Sequence, residues 1–293
     1  MDENTAILRA RRFLQEHGVA SAPVDVMALA AAEGFEVKFK DLPDGEAGST
    51  LLRGGRRIIL VNENEPPMRQ RFTILHEIAH HVLVLPSVHG KADAPVDEAF
   101  KGQSKRPPEE VACDVFASEC LVPLALIRPL TEDRSFGVDT VVDLANSFEA
   151  SQHCVASQFV KASAECLAFV VSQDGRITLA FPSNALRSAG VHINRGTAAP
   201  RGSAAERVSK DSADGAVTKA ELEGTVWSHA DSAARFSVYE EASFYAPKKR
   251  TYSFLTFEEL EAPPQTQWAG AHRDHEELLP ELTGELTWKS RKR

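Results

Sequence analysis

Residues 71–80 read Arg71-Phe-Thr-Ile-Leu-His-Glu-Ile-Ala-His80. On a helix, positions four apart share a face, so His76 and His80 lie one above the other. Two imidazoles in that arrangement can chelate one cation through ring nitrogens, at the ~2.0–2.1 Å typical of zinc. Glu77 follows the first histidine and can reach a water at the metal without being a ligand. A bound metal lowers the pKa of such a water, and an adjacent carboxylate takes its proton as it attacks a carbonyl. His-Glu-x-x-His on a helix is thus the pattern of a metal-dependent hydrolase with Glu77 as general base. The bland alternative is a solvated helix face. The neighbours Phe72, Ile74, Leu75, Ile78, Ala79, Val82, Leu83 and Val84 argue against it. They predict a buried helix, where polar groups without partners are strongly destabilising and a ligand that satisfies them is the better explanation.

A hydrolytic metal site takes a third protein ligand and keeps a position open. Downstream stands Glu109-Glu110-Val-Ala-Cys113-Asp114-Val-Phe116-Ala117, a second predicted helix. Glu110 and Asp114 are four apart and share a face. Glu110 can bind the metal while Asp114 accepts a hydrogen bond from the far nitrogen of a ligating histidine, fixing its tautomer. Glu109 reads as an acidic residue of the first turn, which the helix dipole favours. His81 lies about 100° round the helix from His80 and faces elsewhere. No tyrosine precedes Tyr239, so a donor to the transition-state oxyanion must be His, Arg, Lys, Asn or backbone.

Working outward, helices are predicted at 5–15, stopped by Gly18, and at 24–33, stopped by Gly34. Strands are predicted at 36–40 and 57–61, with turn signals at Asp44-Gly45 and Gly54-Gly55. The motif helix is expected from a cap at Asn64 to about Leu85, followed by a loop from Ser87 to Pro108 that contains His89. Helices at 109–122, 139–148 and 151–162 follow, with a short apolar segment at 124–130. The 139–162 pair could be a DNA-reading unit. Its second helix offers only Lys161 as a fixed cation, so packing against the rest of the domain is the preferred reading. A β-hairpin is expected at 167–181 around Asp174-Gly175. Residues 190–215, rich in Gly, Ser, Ala and Arg, read as a flexible linker. Strands are expected near 224–228, 234–239 and 251–257, and the Pro- and charge-rich stretch 261–293 reads as a disordered tail.

The formal charge of -9 argues against coating nucleic acid, because phosphate binding needs a basic surface. No apolar run approaches the ~20 residues needed to span a bilayer. The acidic start Met1-Asp-Glu-Asn4 does not read as a signal peptide, so a cytoplasmic protein is expected. The cysteines Cys113, Cys120, Cys154 and Cys166 form no Cys-x-x-Cys pair and read as core thiols.

The segment 71–80, together with Glu110-x-x-Cys-Asp-x-Phe-Ala117 and Leu121-Val-Pro123, resembles the ImmA/IrrE family of metallopeptidases. The helix at Pro23-Val-Asp-Val26 and the strand from Arg57 to Asn62 match that layout, and the resemblance covers residues 5–162. Cys113 stands where the family often has alanine. The later stretch Phe148-Glu-Ala-Ser151…Gln158-Phe159 lacks the family's arginine. The resemblance implies His76, His80 and Glu110 as ligands, Glu77 as the catalytic residue, and zinc as the ion, with manganese as the alternative. It also implies a protein substrate, a helix-turn-helix transcriptional repressor, with no direct contact to nucleic acid or membrane. The expected fold is α+β and zincin-like, with a small twisted sheet packed on the motif helix. The expected boundaries are a peptidase domain at 1–163 that includes the helix pair 139–162, a β-rich region at 164–260, and the tail. A metal-binding sensor that acts by protein binding is the competing reading; retention of Glu77 speaks against it, since a purely structural site needs no base.

Overall fold

The computed structural model describes residues 1–43, 45–86, 107–211 and 213–260. The N-terminal half runs α1 (Glu3–Glu16), α2 (Val26–Ala32), β1 (Phe35–Lys40), β2 (Gly48–Arg53), β3 (Arg56–Asn62), α3 (Pro67–Val82), α4 (Pro108–Leu121), α5 (Leu124–Thr131), α6 (Val138–Phe148) and α7 (Gln152–Ala162). Asp2 and Asp25 cap α1 and α2 by accepting from backbone amides of the first turn. Helix α3 starts after Pro66, with Pro67 preset for the first turn. The cap expected at Asn64 does not form. Asn64 donates instead to Asp41 Oδ1 at 2.7 Å, and the helix ends at Val82 rather than Leu85.

β1 and β3 pair in parallel and β2 joins β3 antiparallel, giving the order β1-β3-β2. The two-residue turn Gly54-Gly55 closes the β2–β3 hairpin with both φ values positive, at 59° and 78°, the conformation a tight right-twisted hairpin demands. β2 has no counterpart in the sequence reading, because Gly-Ser-Thr-Leu-Leu-Arg does not alternate. It forms because β3 supplies its ladder and α3 covers it.

Gly48 shows how close that cover is. A Cβ there would stand 2.5 Å from Thr73 Cγ2 of α3 and 2.6 Å from the Leu60 carbonyl oxygen. Behind the sheet, Phe13, Ile59, Leu75, Ile78 and Phe116 share one core. Buried Glu119 of α4 ties two outer helices to it. Arg11 of α1 lies 2.8 Å from one carboxylate oxygen, and the Gln158 amide of α7 donates to the other at 3.2 Å and to the Val122 carbonyl at 3.0 Å. The second helix of the 139–162 pair is thus a packing element.

The C-terminal half contains β4 (Leu167–Gln173), β5 (Arg176–Pro182), α8 (Asn184–Ser188), α9 (Ala204–Asp211), β6 (Val217–Glu223), α10 (Gly224–Trp227), β7 (Phe236–Tyr245) and β8 (Arg250–Glu259). The strands form one antiparallel sheet in the order β5-β4-β8-β7-β6. Successive residues of β4 point to opposite faces, and both faces are buried. Leu167, Phe169, Val171 and Phe254 join the helical core, whereas Ala168, Val170, Val238 and Leu255 build a second core with Trp227 and Val208. Residues 1–260 form one compact unit, so residue 163 marks a change of architecture without a break in packing.

Two expectations give way here. Residues 190–215 hold α9, whose Ala204, Ala205 and Val208 are buried along with Val191 and Ile193. The small side chains that suggested a linker allow close packing on the sheet. Residues 224–227 form a short helix where a strand was expected, and Gly224 sits against the Ala233 carbonyl with no room for a Cβ. The carboxylate of buried Glu240 on β7 holds α9 in place. It accepts from Ala204 N at 3.0 Å, Ala205 N at 2.8 Å and Trp227 Nε1 at 3.3 Å. Burial pushes its pKa up against these donors. The loop at 87–106, His89 within it, and the tail at 261–293 lie outside the described residues.

Candidate metal centre

Helix α3 presents His76 and His80 one turn apart, and α4 packs across it with Glu110 and Asp114 on the facing side. All four are buried, as is Glu77. His76 Nε2 and His80 Nε2 stand 3.2 Å apart. Glu110 Oε2 is 3.2 Å from His76 Nε2, and Glu110 Oε1 is 3.5 Å from His80 Nε2. One donor atom from each residue lies within 4.8 Å of the other two.

These separations test the fit of a metal. Donors ~2.0–2.1 Å from a tetrahedral ion stand about 3.3 Å from one another, which is the spacing found. Two neutral imidazoles whose lone pairs face each other at 3.2 Å repel, so a proton or a cation must lie between them. The donor set of two nitrogens and a carboxylate suits a divalent ion of the zinc type.

Asp114 Oδ1 lies 2.9 Å from His76 Nδ1, the nitrogen turned away from the cluster. Burial alone would favour neutral His76. The hydrogen bonds and charges of Asp114 and Glu110, aided by Glu77, outweigh it and push the imidazole up to about 9. The pocket is therefore strongly cation-seeking. Glu109, by contrast, is only half-buried at the helix start, and His81 is turned out towards Glu33, 3.8 Å away. A surface depression lined by Arg9, Phe13, Glu33, His81 and Val82 includes none of the cluster residues.

Thr50 is the residue that sequence reading missed. Its hydroxyl donates to Glu77 Oε2 at 2.7 Å. Once β2 is known, the signal is visible: Gly48 and Thr50 share a face of the strand, and Thr73 and Glu77 share a face of α3. Of the cysteines, Cys113, Cys120 and Cys154 are buried, and burial pushes the Cys154 thiol up to about 12, leaving it inert.

Comparison with known proteins meets this geometry. Residues 30–158 match the peptidase family described as IrrE N-terminal-like domain. Over 127 residues the chain is 29% identical to the radiation response metalloprotease IrrE of Deinococcus radiodurans, covering 42% of this chain and 36% of that protein. The aligned part spans about a third of that relative's length. A solved structure titled Mycobacterium tuberculosis transcriptional regulator is alike in fold, with a TM-score of 0.56 at 13% identity, covering 87% of this chain and 76% of that one.

Proposed function

From the match of residues 30–158 to the peptidase family described as IrrE N-terminal-like domain, we propose that this protein is a metal-dependent endopeptidase of the ImmA/IrrE type. The observation that carries the reading is the convergence of His76, His80 and Glu110 donors beside a buried carboxylate, Glu77, that is not one of them. We take the fold around it as zincin-like and assign the chemistry to residues 1–163, with 164–260 as a β-rich region packed on it.

When bound, the ion, zinc with manganese as the alternative, supplies Lewis acidity for peptide hydrolysis. His76, His80 and Glu110 would hold it. Asp114 keeps the His76 proton on Nδ1 and so directs the Nε2 lone pair to the ion. Glu77 takes a proton from the attacking water and returns it to the departing amine. Among the described residues, the outer edge of β2 pairs with no strand, and an extended protein segment can add there through its backbone. The substrate is a cytoplasmic helix-turn-helix repressor, cut so that its genes are released.

No helix among the described residues is long and apolar enough to cross a membrane. Likeness in fold to a protein titled a transcriptional regulator keeps one other reading in play, a metal-binding sensor that works by protein binding. Co-expression with candidate helix-turn-helix repressors decides between the two. A shortened repressor band, lost in Glu77→Gln with metal still bound, supports the peptidase. An intact repressor with metal bound and Glu77 present overturns it in favour of the sensor.

A further inference from the structure

We infer that Thr50 is a positioning residue for Glu77, so that the edge strand itself sets the orientation of the general base; this rests on the peptidase reading above. A glutamate next to a metal ligand has two carboxylate oxygens and a rotatable stem. For proton transfer, one oxygen must stay at the reacting centre. In this protein the other, Oε2, accepts from the Thr50 hydroxyl at 2.7 Å, within the range of a strong hydroxyl–carboxylate bond. Glu77 is 1% exposed, so bulk solvent does not screen that bond.

The hydroxyl is itself held in place. β2 is fixed on one side by its ladder to β3, where Thr50 pairs opposite Ile59. Two residues earlier, Gly48 touches α3 at Thr73, four residues before Glu77. Two strand residues rise about 6.8 Å and four helix residues ~6.0 Å, so the two contacts stay in step along the elements. Threonine is also β-branched and confined to few rotamers, which limits the swing of its hydroxyl. A mere filler at this position would need no hydroxyl. A mere partner for a buried carboxylate would need no place on the strand that borders the centre.

The test uses the zinc-loaded 293-residue chain, a panel of purified candidate helix-turn-helix repressors, and Thr50→Val and Thr50→Ser variants. In Thr50→Val, kcat is expected to fall at least about ten-fold, the rate equivalent of one hydrogen bond to a charged group. KM and bound zinc should stay near wild type, and Thr50→Ser should recover most of kcat. A second readout needs no activity. Thr50→Val should lower the unfolding midpoint of the metal-free protein, and lower it less in a Glu77→Leu background, where the hydrogen bond is already absent. Additive midpoints overturn the hydrogen bond. Non-additive midpoints with an unchanged kcat, or no rescue by serine, overturn the positioning role and leave the peptidase reading standing. A wild-type protein that cuts nothing overturns the peptidase reading and this inference with it, while the midpoints still report the bond.

Discussion

Glu110 and Glu240 are both buried glutamates, one in each half of the molecule, and their neighbours differ in kind. Glu240 accepts from two backbone amides and an indole N–H. Those groups are obligate donors: they carry hydrogen and no lone pair to offer. Glu110 faces two imidazole nitrogens, each of which can be donor or acceptor. The first arrangement is complete without any further component. The second brings lone pairs together and becomes stable only with something positive among them. Burial of a carboxylate therefore says little about function, whereas the hydrogen-bonding character of its partners says a great deal.

The most severe way to break this contrast is to remove its metal-seeking member. A His76→Ala, His80→Ala double variant is expected to bind no divalent ion and to lose all cleavage, and metal analysis of the purified protein checks it. Full occupancy in that variant would undo the site assignment. Glu77→Gln should retain the ion yet lose cleavage by at least ~10²-fold, the lower end for a lost general acid–base group. Chelation should abolish activity, and added zinc or manganese should restore it.

A sharper comparison sets neighbours on α4 against each other. Glu110→Gln should weaken metal affinity at least about ten-fold, because even partners behind the ligands are worth that much. Glu109→Gln, half-buried and outside the cluster, should change helix-end electrostatics by only a few tenths of a kcal/mol. Isothermal titration with the metal-free proteins separates them, and a reversed order would show α4 rotated from its described register.

The same contrast explains how much the sequence reveals. The convergence of His76, His80, Glu110 and Asp114 was legible because its spacings are local: four residues along one helix and four along another. Helices α1 to α4, α6 and α7 were legible through apolar periodicity and their Gly and Pro stops, whereas α5 read only as a short apolar segment and the cap expected at Asn64 did not form. β2 was not, since Gly48 to Arg53 carries no alternating pattern and owes its shape to β3 and Thr73. Thr50 stayed hidden with it. α9 was missed because the carboxylate that anchors Ala204 and Ala205 lies on β7, far along the chain, and nothing in a Gly- and Ala-rich stretch announces a remote partner. Gly224 misled for a related reason: the Ala233 carbonyl packed against it lies outside the local pattern.

Smaller effects probe the Glu240 side. Glu240→Ala leaves the α9 amides and the Trp227 N–H without their acceptor, at a cost on the order of 3 kcal/mol. Thermal unfolding should show that loss with metal content unchanged. A fall in bound metal would show that the two cores are energetically coupled.

The least effect expected is in pH dependence. Burial raises the Glu240 pKa in the folded chain above its ordinary value of 4.5, so the native state holds this proton more tightly than the unfolded state. The resulting stabilisation is fully present below the ordinary value and is lost as pH rises through the raised one. Relative to wild type, Glu240→Gln should therefore gain in unfolding midpoint as pH increases across that window. A difference that stays flat with pH would show that the carboxylate's donors fully offset its burial.

The closeness of Gly48 to α3 carries a consequence for how such a chain can vary in length. One residue added or deleted within β2 would turn every following side chain to the opposite face. Ser49 or Leu51 would then stand where Thr50 now meets Glu77. The turns on either side, at Gly45 and at Gly54-Gly55, are roomier: a Cβ added there would meet no atom within 4 Å. A strand at the margin of its sheet, ordinarily the first place to accept extra residues, is here among the least permissive stretches of the chain.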